Sequence, residues 1–229
     1  MNPRSSARIV GVLFIIATAA PLMSVAFVPL MLGPDDLAKV WLLAASENQI
    51  RIGALLEFTM AVAVAAIPIC MYPILKKYNE SMALGYVVGR LVEGLMFTIG
   101  IISLLTLLTL SNEYASAGAP SATYYQTIGT MLLAVRSWQS VFAQFCFSLG
   151  SLMFYYILYK SKLVPRWLSG WGLVGATVFL PYYLLQFFSI NLPEGLFILI
   201  ALQEMAFAVW LIVKGFNSSA IASGSAKQN

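Results

Sequence analysis

The chain has 229 residues, of which 60% are hydrophobic and 10% are charged. These values exclude an ordinary soluble globular domain and predict an integral membrane protein. The formal net charge of +4 gives no reason to expect a nucleic acid partner, because basic loops on one side of a membrane produce such an excess.

Apolar runs along the chain predict an all-α bundle of six transmembrane helices. About 20 apolar residues are needed to cross a hydrocarbon core of roughly 30 Å. The predicted spans are 8–32, 50–75, 83–110, 136–159, 167–190 and 195–214. With their connectors they form a single domain over residues 1–216. The tail 217–229 is rich in Ser, Ala and Gly and is expected to be disordered.

The first span begins like a secretory signal peptide, since basic residues precede an apolar stretch. Two features predict that it is retained. Pro21 would directly follow the apparent cleavage site, and the apolar run continues to about Leu32, which is long enough to cross a bilayer.

The connector after the first span predicts a short amphipathic helix. Asp35 and Asp36 are typical of a first helical turn, and apolar residues then recur at helical spacing. These residues are Leu37, Val40, Trp41 and Ala44. We expect the helix to lie on the outer surface, with its tryptophan at the level of the lipid headgroups.

Basic residues are concentrated in alternate connectors. The basic set is Arg4, Arg8, Lys76, Lys77, Lys160, Lys162, Arg166, Lys214 and Lys227. The remaining connectors carry mainly acidic residues, namely Asp35, Asp36, Glu47, Glu113 and Glu194. Because Lys and Arg near membrane spans stay on the cytoplasmic side, this alternation predicts that the N- and C-termini are both cytoplasmic.

Three glutamates lie inside predicted spans, where an ionisable group costs from about 2.5 to above 10 kcal/mol. They are Glu57, Glu93 and Glu204, and each lies roughly 12–15 Å deep. Each shares its helix face with Gly and Ala, which membrane helices use where they pack closely. We therefore expect all three carboxylates to face the interior of the bundle.

Arginine and glutamine residues complete a predicted polar core. Arg90 precedes Glu93 by three positions, which suits an ion pair within one helix, and Arg51 lies near the outer end of the second span. The candidate core comprises Glu57, Arg90, Glu93, Arg136, Gln139, Gln144, Gln203 and Glu204.

This core has two interpretations. Arg–Glu pairs and glutamine hydrogen bonds can simply fix the helices in register. Alternatively, the core is a cavity that binds a small polar molecule or a proton. We favour the structural role for Arg90 with Glu93. Glu204 has no cation within a helical turn of its own span, so we expect it to hold a proton near neutral pH unless Arg136 or Arg51 reaches it.

The absence of histidine from the chain excludes several enzyme classes, among them zinc sites of the HExxH type and Ser–His or Cys–His nucleophilic catalysis. Aspartate occurs only at Asp35 and Asp36, which excludes an intramembrane aspartyl dyad. The sequence has no glycine-rich phosphate loop. We expect no catalytic residues, cofactor or metal ion, and a protein that is not an enzyme.

Four segments resemble a bacterial multi-span family known as domain of unknown function 4386. The likeness runs from about Arg8 to Gly215 and is carried by residues 8–16, 48–57, 72–93 and 165–175. The segment 72–93, which contains Arg90 and Glu93, is the most specific. The resemblance implies a bundle of six helices in a bacterial plasma membrane, and it implies no activity, substrate or functional residue.

Three functions are compatible with the sequence. In the first, the buried core binds or passes a small solute or a proton. In the second, the chain is a structural or accessory subunit whose small-residue faces pack against another membrane protein or a second copy of itself. In the third, an intramembrane enzyme uses a glutamate to modify lipid. A cavity that reaches Glu57, Glu93 or Glu204 would separate the first from the second.

Overall fold

The structure is a computed structural model that describes residues 3–28, 36–119, 123–190 and 195–226. Within these ranges the chain is helical and contains no β-strand. The helices are α1 (Pro3–Ser24), α2 (Leu37–Val40), α3 (Glu47–Leu75), α4 (Glu80–Ser116), α5 (Thr123–Ser161), α6 (Arg166–Phe187), α7 (Leu196–Val213) and α8 (Ser218–Ala226). A 3₁₀ helix, Leu43–Ser46, leads into α3.

Five helical segments of the described chain are long and apolar enough to cross a membrane, and they correspond to the first five predicted spans. The helix at the sixth predicted span, α7, is shorter, with an apolar segment over Ile198–Val213. The end of the first predicted span lies outside the described residues, as do Asp35, Glu194 and Lys227.

The six longest helices pack in a closed ring. In order around the ring, α1 packs against α3, α3 against α4, α4 against α5, α5 against α6, α6 against α7, and α7 against α1. The α4–α5 contact is the most extensive. A ring of this kind gives each helix one face toward a shared interior, where the candidate site lies.

Glycines allow α4 and α5 to approach each other. A Cβ atom on Gly89 would lie 3.1 Å from the Cα of Gly150 and 3.2 Å from the carbonyl oxygen of Cys146. These neighbours are backbone atoms, which cannot move aside as a flexible side chain can. The small-residue face predicted around Glu93 is therefore used within this chain, where it sets the spacing of α4 and α5.

One end of the ring gathers the basic connectors. The Tyr78 hydroxyl, between α3 and α4, donates a hydrogen bond of 2.8 Å to the Ala220 carbonyl. The Asn217 N–H, after α7, donates one of 2.9 Å to the Leu163 carbonyl, between α5 and α6. We call this the basic end, because the connectors joined here carry the described basic residues Lys76, Lys77, Lys160, Lys162, Arg166 and Lys214.

The structure corrects the prediction for the tail at this end. Disorder was expected from residue 217, whereas residues 218–226 form α8. Ala220 is buried, and Ile221 packs against the hydrophobic core. Composition alone misses these contacts, because two apolar residues in a Ser- and Ala-rich segment are enough to hold a short helix against the bundle.

The opposite end is covered by the connector after α1. The predicted amphipathic helix is divided into α2 and the 3₁₀ helix Leu43–Ser46, which pack over α4 and α5. Val40 and Leu43 are buried, and the ring of Trp41 stacks on Tyr114 with centroids 4.3 Å apart. The described part of the connector, residues 36–46, therefore packs against the ends of two long helices, and Trp41, predicted at the level of the lipid headgroups, stacks on Tyr114.

Candidate functional site

The predicted polar core is divided into two sites in the structure. The Glu57 site contains Glu57, Arg136 and Gln139, and the Glu204 site contains Arg90, Glu93, Gln203 and Glu204. Along α4, Gly100 of the first site and Glu93 of the second are separated by seven residues, or roughly 10 Å. Gln144 makes no side-chain hydrogen bond among the residues that the structure describes.

The Glu57 site is a closed ion pair between α3 and α5. Nη2 of Arg136 lies 2.7 Å from Oε1 of Glu57, and Nη1 lies 3.2 Å from Oε2. The same Nη1 also donates a hydrogen bond of 3.0 Å to the Gly100 carbonyl on α4. A two-pronged pair of this geometry balances one negative charge with one positive charge and ties three helices together.

Gln139 lies beside this pair and packs against Gly100. A Cβ atom on Gly100 would lie 2.6 Å from the Gln139 carboxamide carbon. The Oε1 atom of Gln139 is buried and has no hydrogen-bond partner within the described chain. The remaining predicted arginine, Arg51, is exposed and pairs with Glu47 at the start of α3, so it takes no part in either site.

The Glu204 site contains a second, weaker ion pair. Both Arg90 and Glu93 are 3% exposed. Nη1 of Arg90 donates a hydrogen bond of 3.3 Å to Oε1 of Glu93, and it lies 3.1 Å from Oε2 without forming an aligned hydrogen bond. Nε of Arg90 is buried with no partner in the described residues, and the guanidinium carbon lies 5.2 Å from the ring centroid of Phe147. Arg90 therefore retains an unused donor.

Glu204, on α7, adds a second carboxylate to this site. Arg90 interacts electrostatically with Glu204, and Glu204 interacts with Glu93. No hydrogen bond or ion pair within 4 Å reaches the Glu204 carboxylate from the described parts of the chain. Neither Arg136 nor Arg51 reaches it, because each is held by another glutamate. Arg90 thus acts electrostatically on two carboxylates but forms an ion pair only with Glu93 among the described residues.

Gln203, beside Glu204 in sequence, fixes α7 against its neighbours. Its Oε1 accepts a hydrogen bond of 2.6 Å from the Tyr155 hydroxyl on α5. Its Nε2 donates one of 3.1 Å to the Leu168 carbonyl on α6. Gln203 has no exposed surface, so both polar ends of the carboxamide are satisfied inside the bundle.

Aromatic side chains separate the Glu204 site from the basic end. Tyr86 stacks on Phe154 with centroids 4.5 Å apart, and Phe207 meets Phe154 at 5.6 Å and Phe14 at 5.4 Å. These four residues come from α4, α5, α7 and α1, and all are buried. They fill the centre of the ring on the side from which α4 enters it.

Two tyrosines at the Glu204 site are not among the core residues predicted from the sequence. Tyr86 and Tyr155 are 1% exposed, and both interact electrostatically with Arg90 and Glu204. A signal for Tyr155 was present in the sequence, because it continues the helical spacing of Gln144, Ser148 and Ser151. Tyr86 similarly lies one turn before Arg90.

The fold and the two charged sites define the class of the protein. It is an all-helical membrane protein with glutamate–arginine ion pairs inside the helical ring. Among the described residues, no three His, Cys, Asp or Glu side chains come together in a way that could hold a metal ion.

The sequence model of the family described as "Domain of unknown function (DUF4386)" matches residues 9–215. The chain therefore belongs to the DUF4386 family, as its segments predicted. No curated protein and no solved structure matches it.

Proposed function

We propose that this protein binds and exchanges a proton at the Glu204 site, as part of the binding or passage of a small solute or of protons across a cell membrane. The observation that supports the proposal is the number of charged groups at the site, which has two carboxylates and one arginine. One buried arginine, Arg90, is the cation that acts on the carboxylates of both Glu93 and Glu204, and it is paired only with Glu93, while no hydrogen bond reaches Glu204 within the described chain.

The charge count favours a bound proton for an electrostatic reason. A second negative charge without a second cation is strongly unfavourable in a medium of low dielectric constant, and a proton removes it. Glu93 and Glu204 lie on α4 and α7, so deprotonation of Glu204 would add repulsion between these two helices across the ring. Such a coupling between a bound proton and helix position is what a proton-dependent binding protein needs.

The surroundings of the site support an occluded state. The aromatic side chains Phe14, Tyr86, Phe154 and Phe207 close the ring toward the basic end. A solute or proton that passes the Glu204 site in that direction would need these side chains to move, as rotamers of a packed core can. The arrangement therefore suits a binding site that opens to one side at a time.

The accessory-subunit alternative depended on small-residue faces available to a partner. Gly89 on α4 instead packs against Gly150 on α5, and Gly11 on α1 packs against the Ala208 carbonyl on α7. Because these faces are used inside the chain, they do not favour an external membrane partner or a homo-oligomer.

We further propose that α7 is a sixth span, that both termini are cytoplasmic, and that the membrane is a bacterial plasma membrane. The closed ring supports the sixth span, because α7 packs between α1 and α6, each of which is of spanning length. The convergence of the basic connectors supports the orientation.

Reporter fusions after Lys77, after Lys162 and at the C-terminus should report the cytoplasm, and a fusion near Glu113 should report the outside. A periplasmic C-terminus would overturn the count of spans.

Infrared difference spectroscopy of the purified protein tests the proton directly. Protonated carboxylic acids have a carbonyl stretch that carboxylates lack, and its loss with rising pH follows deprotonation. We expect a titrating band in the parent that is lost or strongly reduced in Glu204→Gln. Glu113→Gln is the matched control, because Glu113 is an exposed glutamate near the far end of α4 and its replacement should leave the band unchanged. An unchanged band in Glu204→Gln would contradict the proposal.

Proteoliposomes test whether the bound proton is also passed. A potassium diffusion potential set up with valinomycin drives protons inward, and a pH-sensitive dye inside the vesicles records their entry. We expect faster acidification with the parent than with Glu204→Gln. Equal rates for the two proteins would restrict the Glu204 site to binding.

A further inference from the structure

A cavity at the basic end is lined by three cations from two connectors. It has a volume of about 600 Å³, and its walls include Lys162 and Arg166 from the α5–α6 connector and Lys214 from the end of α7. All three side chains are exposed, and none of them forms an ion pair with an acidic residue of the described chain. The cavity therefore has an uncompensated positive charge.

The backbone holds the two walls of this cavity together. The Asn217 N–H donates a hydrogen bond of 2.9 Å to the Leu163 carbonyl, which joins the two connectors. Gly215, at φ +73°, turns the chain after α7, and Lys162, at φ +57°, turns it after α5. The cations are thus carried on fixed turns close to their helix ends, unlike the charges of a flexible tail.

The remaining wall of the cavity is apolar and aromatic. Trp210 and Phe216 line it, and the ring of Trp210 meets that of Trp167 edge to face at 6.4 Å. The first turn of α6 also begins at this wall. The Leu168 N–H donates to the Pro165 carbonyl, and the N–H groups of Arg166 and Trp167 have no acceptor within the helix. Cations, free N–H groups and an aromatic surface suit an anionic group attached to an apolar body.

We infer that this cavity binds a phosphate group that carries net negative charge, the chemistry shared by an anionic phospholipid headgroup and free phosphate. Lys162, Arg166 and Lys214 would contact the phosphate oxygens, while Trp210 would lie against the apolar part of a lipid. The inference is independent of the Glu204 site, because a layer of buried aromatic residues separates the two.

Thermal unfolding of the purified full chain in detergent tests this site. Three additions are compared: a short-chain phosphatidylglycerol, the matching phosphatidylcholine, and inorganic phosphate. We expect phosphatidylglycerol to raise the melting temperature of the parent in a saturable manner, and phosphatidylcholine to have little effect. If inorganic phosphate stabilises as well as phosphatidylglycerol does, free phosphate is the ligand. If only phosphatidylglycerol stabilises the protein, the lipid headgroup is the ligand. Equal stabilisation by phosphatidylcholine would overturn the inference.

Two double variants separate this cavity from the general charge of the basic end. Lys162→Asn with Lys214→Gln removes two cations from the cavity, and asparagine tolerates the positive φ at position 162. Lys76→Gln with Lys160→Gln is the control, because it removes two exposed cations outside the cavity. We expect about 30-fold weaker binding in the cavity variant, from about 1 kcal/mol for each lysine, and little change in the control.

Two outcomes of this comparison would overturn the inference. One is equal binding by the two double variants, which would mean diffuse attraction to the basic end. The other is a parent protein that responds to neither phosphatidylglycerol nor phosphate. Should the cavity double variant fail to fold, Lys214→Gln alone, set against Lys160→Gln alone, provides the same comparison with about a fivefold expected difference.

Discussion

The Glu57 site and the Glu204 site use the same residue types but differ in charge balance. At the Glu57 site, one carboxylate meets one arginine through two hydrogen bonds, and the arginine also reaches the Gly100 carbonyl. At the Glu204 site, Arg90 acts electrostatically on two carboxylates. Within the described residues its guanidinium donates a hydrogen bond only to Glu93, and its Nε has no partner.

The difference separates a structural ion pair from a site that can change its charge. A balanced, two-pronged pair gains little by taking up or losing a proton, because either change leaves a buried charge unpaired. On the proposed function, Glu204 at the unbalanced site takes up a proton in the closed ring and releases it when the helices move. The comparison predicts distinct responses to the same kind of substitution at each site.

The largest effect is expected for Arg136→Ala. It leaves the Glu57 carboxylate without its partner and removes the bond to the Gly100 carbonyl, so we expect a loss of about 3–5 kcal/mol in the free energy of unfolding. The measurement is denaturant unfolding in detergent. Adding Glu57→Gln should restore most of the loss, since it removes the stranded charge. A double variant as unstable as the single one would mean that the pair does not act as a unit.

Arg90→Ala should have a smaller effect, about 2–3 kcal/mol, because Arg90 makes a single long hydrogen bond and a proton can neutralise each carboxylate left behind. Here the pattern of rescue is the informative result. Near neutral pH, adding Glu93→Gln should restore most of the stability, because on the proposed function Glu204 already carries a proton and is not stranded by the loss of Arg90. At alkaline pH, adding Glu204→Gln as well should restore more. No further gain from Glu204→Gln at alkaline pH would show that Glu204 does not become charged there, and the two sites would then be equivalent.

Glycine substitutions test the packing around the two sites. Gly89→Ala, one residue from Arg90, would press a methyl group against the α5 backbone, and we expect a loss of about 1–3 kcal/mol. Gly100→Ala, at the Glu57 site, meets the flexible Gln139 side chain, and a gain in helix propensity offsets part of the strain. Its cost should be below about 1 kcal/mol. Equal melting temperatures for the two variants would contradict this description.

The sequence predicts five membrane-spanning helices and the Arg90–Glu93 ion pair, because both depend on local patterns. Apolar runs of spanning length give five of the six predicted spans directly. The three-residue spacing of Arg90 and Glu93 predicts their ion pair, which the structure contains. Such features require only the geometry of a single helix.

The sequence does not predict which side chains contact each other across the ring. Glu57 and Arg136 are 79 residues apart, and Tyr155 and Gln203 are 48 apart, so neither contact follows from helical spacing. The prediction of one polar core failed for the same reason, since similar depth in the membrane does not decide which helix faces which. Both cross-ring interactions join helices that are not neighbours in the ring: Arg136 on α5 pairs with Glu57 on α3, and Arg90 on α4 acts electrostatically on Glu204 on α7.

The smallest effect on stability, and the sharpest test of the comparison, is expected for Glu204→Gln. Because the Glu204 carboxylate accepts no hydrogen bond and forms no ion pair within the described chain, the amide should change the free energy of unfolding by no more than about 0.5 kcal/mol near neutral pH. At alkaline pH the parent should become less stable, because loss of the proton leaves two carboxylates facing one arginine, and the variant should not. Glu57→Gln should behave in the opposite way, with a large loss at every pH, because it strands the guanidinium of Arg136. Unfolding curves collected across pH for these two variants and the parent decide the matter. If Glu204→Gln follows the parent at alkaline pH, Glu204 does not exchange a proton and the Glu204 site is structural like the other.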